Sequence, residues 1–240
     1  TYNSAMDADT AFVNGVVHGA VSDIVKASLW RSKGDSVKIV MAIDPEISLV
    51  TAKSARLFNT ASIKEKIIAI TRHSLLDFTA DKILESVKIK SEDLNKPQIN
   101  NIKLRTKMTD QNQYDGALLP EPYTFEATKI WGGKLLTSSS KLGLRYMGAL
   151  VFNDSIIAQR GDEVRDIVKA YNLAVKELNK KKVYPLNYIP KESTVEISDT
   201  LFEFIPFKES ANPSDSLLQK VNKWIIGRGL VKNGCTYQVL

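Results

Sequence analysis

Four short stretches place hydrogen-bonding and ionisable side chains directly after runs of strand-forming residues. They are Ser22-Asp23 after Gly19-Ala20-Val21, Asp44-Pro45-Glu46 after residues 37–43, Thr71-Arg72-His73-Ser74 after residues 67–70, and Pro120-Glu121-Pro122-Tyr123 after residues 117–119. Hydroxyl, carboxylate, guanidinium, imidazole and phenol groups in such places suit the capture of a small polar molecule. Each stretch read alone is also a helix cap, because Ser, Thr and Asp accept hydrogen bonds from the free N–H groups of a first helical turn. Read together, the four line one cleft. The stretch Thr71-Arg72-His73-Ser74 is the most informative of them. It sets a cation, an imidazole and two hydroxyls at a helix start, where free N–H groups and the helix dipole already favour an anion. A carboxylate, sulfonate or phosphate suits it, although His73 reads nearly as well as a partly exposed residue of the helix start.

Catalytic patterns are poorly represented. The two histidines, His18 and His73, lie in different segments, and neither has a carboxylate or thiol at the spacing of an HExxH or His–Cys arrangement. Gly132-Gly133 lacks the further glycines of a phosphate loop and reads as a turn before Lys134. Cys235 is the single cysteine, which excludes an internal disulfide and any CxxC metal site. Neither a cofactor nor a metal is expected.

The elements that must hold these residues alternate between strand and helix. Val164, Ile167, Val168, Tyr171, Ala174, Val175 and Leu178 recur at helical spacing and predict a helix over 162–180 with one face in the core. Asn212-Pro213 predicts the start of a second helix burying Leu217, Leu218, Val221, Trp224 and Ile225, with Gly227 and Gly229 as its stop. A third is predicted over 74–87, with Ser74 as its cap and Leu76, Ala80, Ile83, Leu84 and Val87 inward. Shorter helices are predicted over 8–17 and 24–32. Apolar, β-branched runs at 37–43, 47–51, 66–71, 117–119, 134–137 and 148–152 have strand length. The alternation implies an α/β protein with mostly parallel sheets, whose ligands bind beyond the C-terminal ends of the strands.

Bulk properties agree with a folded chain that handles small molecules. Its 240 residues are 43% hydrophobic and 25% charged, an ordinary globular composition large enough for two small domains. The 33 basic residues exceed the 27 acidic ones by six, but apart from Lys180-Lys181-Lys182 they are scattered, which argues against a nucleic-acid surface. No run of about 18 apolar residues is present, so no transmembrane helix is expected. There is no signal peptide either, so export would require a targeting segment already removed.

The order of segments resembles the type II periplasmic binding proteins of the nitrate, aliphatic sulfonate, taurine and thiamine-precursor ABC import group. The resemblance rests on residues 14–23 (NGVVHGAVSD), 67–84 (IIAITRHSLLDFTADKIL), 114–123 (YDGALLPEPY), 132–140 (GGKLLTSSS), 164–178 (VRDIVKAYNLAVKEL) and 212–231 (NPSDSLLQKVNKWIIGRGLV). These cover nearly the whole chain, and YDGALLPEPY is the most specific. The resemblance implies two α/β lobes, one formed by residues 1–53 with 143–240 and the other by 54–142, joined by crossover strands at 47–53 and 143–151. It implies a solute held between the lobes by Ser22 and Asp23 on one side and by Thr71, Arg72, His73, Ser74 and Glu121 on the other, with Asp44 and Tyr123 nearby. A hinge would close on the solute, an anion or polar heterocycle. The partners implied are that solute and the membrane subunits of the importer. The location implied is the periplasm or the cell surface, touching the membrane only through a removed lipid anchor. Family members open with a strand, a ligand-contacting loop and a helix before the stretch that Thr1-Tyr2-Asn3-Ser4 resembles. This sequence is expected to lack that unit, leaving a strand edge unpaired and one wall of the cleft incomplete.

Two other classes share the architecture. A cytosolic enzyme branch that makes a pyrimidine precursor of thiamine carries a cysteine-rich iron-binding stretch, which a chain with Cys235 alone does not have. Effector-sensing domains of transcription regulators follow a helix-turn-helix, and this sequence shows none.

Overall fold

The computed structural model describes Tyr2, residues 4–184 and residues 204–235. In chain order the strands are β1 (Gly19–Asp23), β2 (Val37–Ile43), β3 (Ile47–Thr51), β4 (Ile68–Ala69), β5 (Gly116–Pro120), β6 (Lys134–Ser138) and β7 (Gly148–Asn153). The helices are α1 (Ala5–Val13), α2 (Ile24–Ser32), α3 (Leu75–Ser86), α4 (Ile102–Asp110), the short α5 (Tyr123–Phe125) that runs on as a π turn, α6 (Asp154–Lys181) and α7 (Asp215–Gly227).

The strands form two sheets, ordered β1-β7-β2 and β4-β5-β3-β6. The expectation of mostly parallel sheets is corrected: among the described strands β4 pairs parallel with β5, and the other four ladders are antiparallel. The reason lies in the order of pairing. β7 arrives from the far end of the second sheet and inserts between β1 and β2, against both. β3 likewise crosses from the first sheet and lies between β5 and β6. Sequence alternation implies parallel strands only where successive strands are neighbours. On its other edge β1 has no strand partner among the described residues, and its Val21 is 62% exposed.

Each sheet has its own core. Ile24, Val25, Ala27, Val37, Ile39, Ala149 and Val151 pack with Leu217, Val221, Trp224 and Ile225 of α7. Val40, Met41 and Leu150 on the other face of that sheet meet Ile157 and Val164 of α6. In the second sheet Leu49, Ile68, Ile70 and Leu118 pack against Leu76, Ala80, Ile83 and Leu84 of α3. α3 also sends Phe78 into the first core, so it belongs to both.

The chain passes between the sheets at 44–46 and again at 139–147, and the two passages are stitched together. Asp44 accepts from the Tyr146 N–H at 2.8 Å and pairs with Arg145 at 2.7 Å. Ser139 accepts from the Ile47 N–H at 3.1 Å. Glu46 accepts from Ser138 at 2.7 Å and from Ser140. Burial pushes the Glu46 carboxyl up, but the two serine hydroxyls with Arg145 and Lys141 outweigh it and hold the group below the usual range.

Sequence-predicted helices were found with shifted ends. Ser214, not Asn212, caps α7, accepting from the Leu217 N–H at 3.3 Å. α6 begins eight residues before the predicted start and bends at Arg160, where φ is −133°. Of its predicted core stripe, Val164 and Val175 are buried while Ile167 is 45% exposed. The helix α4 had no counterpart in the sequence reading.

Candidate functional site

A cavity of about 670 Å³ is lined from both sheets. Asp9, Ser22, Asp23 and Lys26 form one wall, Thr71, Ser74, Arg105 and Tyr123 the other, and Ile43, Pro45, Ile47 and Gly148 lie where the sheets connect.

The first wall is an internally paired polar cluster. Ser22 donates to Asp9 at 2.7 Å, and Lys26 bonds the other oxygen of the same carboxylate. Asp23 ends β1 and caps α2, accepting the Lys26 N–H at 2.9 Å. Its surroundings also include the Leu75 N–H at the start of α3. Burial nevertheless pushes the Asp23 carboxyl up to about 6, and the charge of Asp9 adds to that rise.

The second wall holds an unbalanced charge. Arg105 is 2% exposed, and its guanidinium donates to Thr71 Oγ1 at 3.1 Å and to the Ile99 carbonyl at 2.7 Å. Neither partner is anionic, and Nε has no hydrogen-bond partner among the described residues. Burial lowers the Arg105 pKa to about 10, with Tyr123 working in the opposite sense. A guanidinium desolvated in this way at a cavity wall, with neutral partners only, has capacity for an oxyanion. Sequence reasoning missed Arg105 because it lies in the middle of the unforeseen α4. The available signal was Asn101, whose side chain accepts the Leu104 N–H at 3.0 Å and caps that helix.

Of the residues predicted for the site, Ser22, Asp23, Thr71, Ser74 and Tyr123 line the cavity. Arg72, His73, Asp44 and Glu121 do not, and each has a local reason. Arg72 is exposed and its Nε donates to the Lys96 carbonyl at 3.3 Å. His73 is exposed with φ at 53°, and its N–H turns inward to Asp77 at 3.1 Å. Asp44 is used up in joining the two passages between the sheets. Glu121 accepts the Phe125 N–H at 3.1 Å, and burial, helped by the charge of Glu46, pushes its carboxyl up. Ser74 is buried, accepts the Leu76 N–H at 3.1 Å as the cap of α3, and donates to the Thr71 carbonyl at 2.6 Å.

No family model matches the chain, and no curated protein matches it. Solved structures do. The alkanesulfonate-binding protein SsuA from Xanthomonas axonopodis pv. citri, bound to MOPS, superposes with a TM-score of 0.81 over 96% of this chain and 82% of its own, at 15% identity. The ligand-binding component of an ABC-type import system from Staphylococcus aureus, with zinc bound, gives 0.73 over 97% and 81%, at 16% identity. The periplasmic aliphatic sulphonate-binding protein SsuA from Escherichia coli gives 0.70 over 97% and 82%, at 12% identity. Two sheets linked by two passages, with a cavity lined from both, are thus the periplasmic-binding-protein fold, and this chain has that fold.

Proposed function

We propose that the chain is the solute-binding component of an ABC importer and that its solute is a small organic anion, held in the cavity between Arg105 and the Ser22-Asp23 wall. The observation that carries this reading is Arg105, a buried cation at the cavity wall whose hydrogen-bond partners among the described residues are the neutral Thr71 hydroxyl and Ile99 carbonyl. A ligand oxyanion would give that guanidinium a charge-assisted partner. The sulfonate-binding proteins and the importer component that share the fold support the same class. Under this reading residues 1–53 with 143–240 and residues 54–142 act as two lobes, although Ile47–Thr51 pairs within the second sheet and draws the boundary towards 44–46. Solute contacts on both walls favour a closed arrangement, which the importer's membrane subunits would receive. The setting proposed is the periplasm or outer cell surface. Among the described residues no helix is long and apolar enough to cross a membrane.

A thermal-shift screen of the chain against MOPS, taurine, ethanesulfonate, nitrate, succinate and an uncharged pyrimidine tests it. An anion at one hundred times its dissociation constant stabilises the native state by about 2.7 kcal/mol. That stabilisation is expected to vanish in Arg105→Met and to survive in part in Arg105→Lys. Equal stabilisation of wild type and Arg105→Met by the same anion would remove Arg105 from the site.

A further inference from the structure

The contact between α3 and α7 lies outside the cavity walls. α3 starts at the end of the loop 71–74 and runs between the two cores, where Phe78 meets Trp224 of α7 edge-on with ring centroids 5.5 Å apart. Beside this pair four charges gather. Lys96 Nζ is 3.0 Å from Asp77 and 2.6 Å from Asp81. The Arg228 guanidinium is 3.9 Å from Asp77 and 3.5 Å from Asp81, lies over the Trp224 ring, and donates to Ser91 at 2.9 Å. Trp224 Nε1 donates to Asp81 at 2.8 Å. Asp77 is fully buried, and two carboxylates balance two cations. Burial pushes the Asp81 carboxyl up, but Lys96, Trp224 and Ser91 together hold it below the usual range.

Asp77 has a second task. The oxygen facing Arg228 also accepts the His73 N–H at 3.1 Å and so closes the turn that carries Thr71 into the cavity wall. His73 sits at φ 53°, a left-handed conformation uncommon for a non-glycine residue.

We infer that Arg228, at the end of the C-terminal helix, is a positioning residue for the loop 71–74 and acts through Asp77. Its bearing on solute affinity rests on the cleft proposed above. Without Arg228, Asp77 and Asp81 share the one ammonium of Lys96, and two buried carboxylates facing one cation repel. The Asp77 side chain then moves fully onto Lys96 and withdraws its other oxygen from His73, loosening the turn.

Site-resolved amide hydrogen exchange on the full chain tests this without any ligand. Arg228→Met keeps an apolar stem against Trp224 and deletes the charge, whereas Arg228→Lys keeps a charge. The His73 amide is expected to exchange about tenfold faster in Arg228→Met and near the wild-type rate in Arg228→Lys, with the Leu118 amide in β5 unchanged in both. An unchanged His73 rate in Arg228→Met overturns the inference. So does an equal acceleration at His73 and Leu118, which marks general loss of stability, or acceleration by Arg228→Lys to the same extent. Where MOPS binds the wild type, its affinity falls in Arg228→Met alone; where MOPS does not bind at all, the anion reading fails and the exchange rates still decide the role of Arg228.

Discussion

Asp23 and Arg105 both lie buried at the cavity, and their chemistry differs in a way that pH can expose. The folded-state pKa of Asp23, about 6, lies above its ordinary value of 3.8, so the native chain binds that proton more tightly than the unfolded one. Its contribution to stability is therefore fully present below about pH 4, is lost as pH rises through about 6, and leaves the ionised group costing about 3 kcal/mol above that range. Asp23→Asn keeps the cap on α2, because Asn serves there as well as Asp. Urea denaturation of Asp23→Asn is expected to show a flatter stability profile between pH 4 and 6 and a gain of about 1–3 kcal/mol at pH 7.5. Parallel profiles for variant and wild type would assign the pH dependence to another group. An anion arriving beside Arg105 adds negative charge to the same cavity, so its binding is expected to favour the protonated form of Asp23.

The two helices that present the second wall differ in how they are encoded. α3 is legible in the sequence because Leu76, Ala80, Ile83 and Leu84 repeat at helical spacing behind a serine cap. α4 is not, because the residues it buries at that spacing include Arg105, Thr106 and Thr109, polar side chains that read as solvent-facing until their partners are known. Thr106 and Thr109 bond the Ile102 and Arg105 carbonyls one turn back at 2.8 and 2.9 Å. The same limit separates the legible part of the site from the rest. Ser22, Asp23, Thr71, Ser74 and Tyr123 follow from strand ends alone. The outward placement of Arg72 and His73 depends on a left-handed turn held by Asp77, and nothing local in the sequence encodes that. Asn101→Ala removes the cap of α4 and is expected to cost about 1 kcal/mol in chemical denaturation, whereas Asn101→Asp retains it. A null result for Asn101→Ala would mean that packing, not capping, fixes the start of α4.

At the scale of the whole molecule the two cores are bound to one another by α3, which supplies Leu76, Ala80, Ile83 and Leu84 to one and Phe78 to the other. With that helix shared and the Asp77, Asp81, Lys96 and Arg228 cluster beside it, the two sheets are expected to unfold together. Differential scanning calorimetry should give one transition whose calorimetric and van't Hoff enthalpies agree. Two resolved transitions would show that each core stands alone. The strand order carries a different consequence for a chain emerging from the ribosome. The second sheet draws all its strands from residues 47–138, a continuous stretch, while the first cannot close until β7 at Gly148–Asn153 is released to fill the gap between β1 and β2. Strands β1 and β2 thus precede the second sheet in the chain yet are paired after it. During synthesis β1 and β2 must wait, unpaired, for roughly a hundred residues at about 5–20 residues per second, an interval of about 5–20 s in which a chaperone has most to protect.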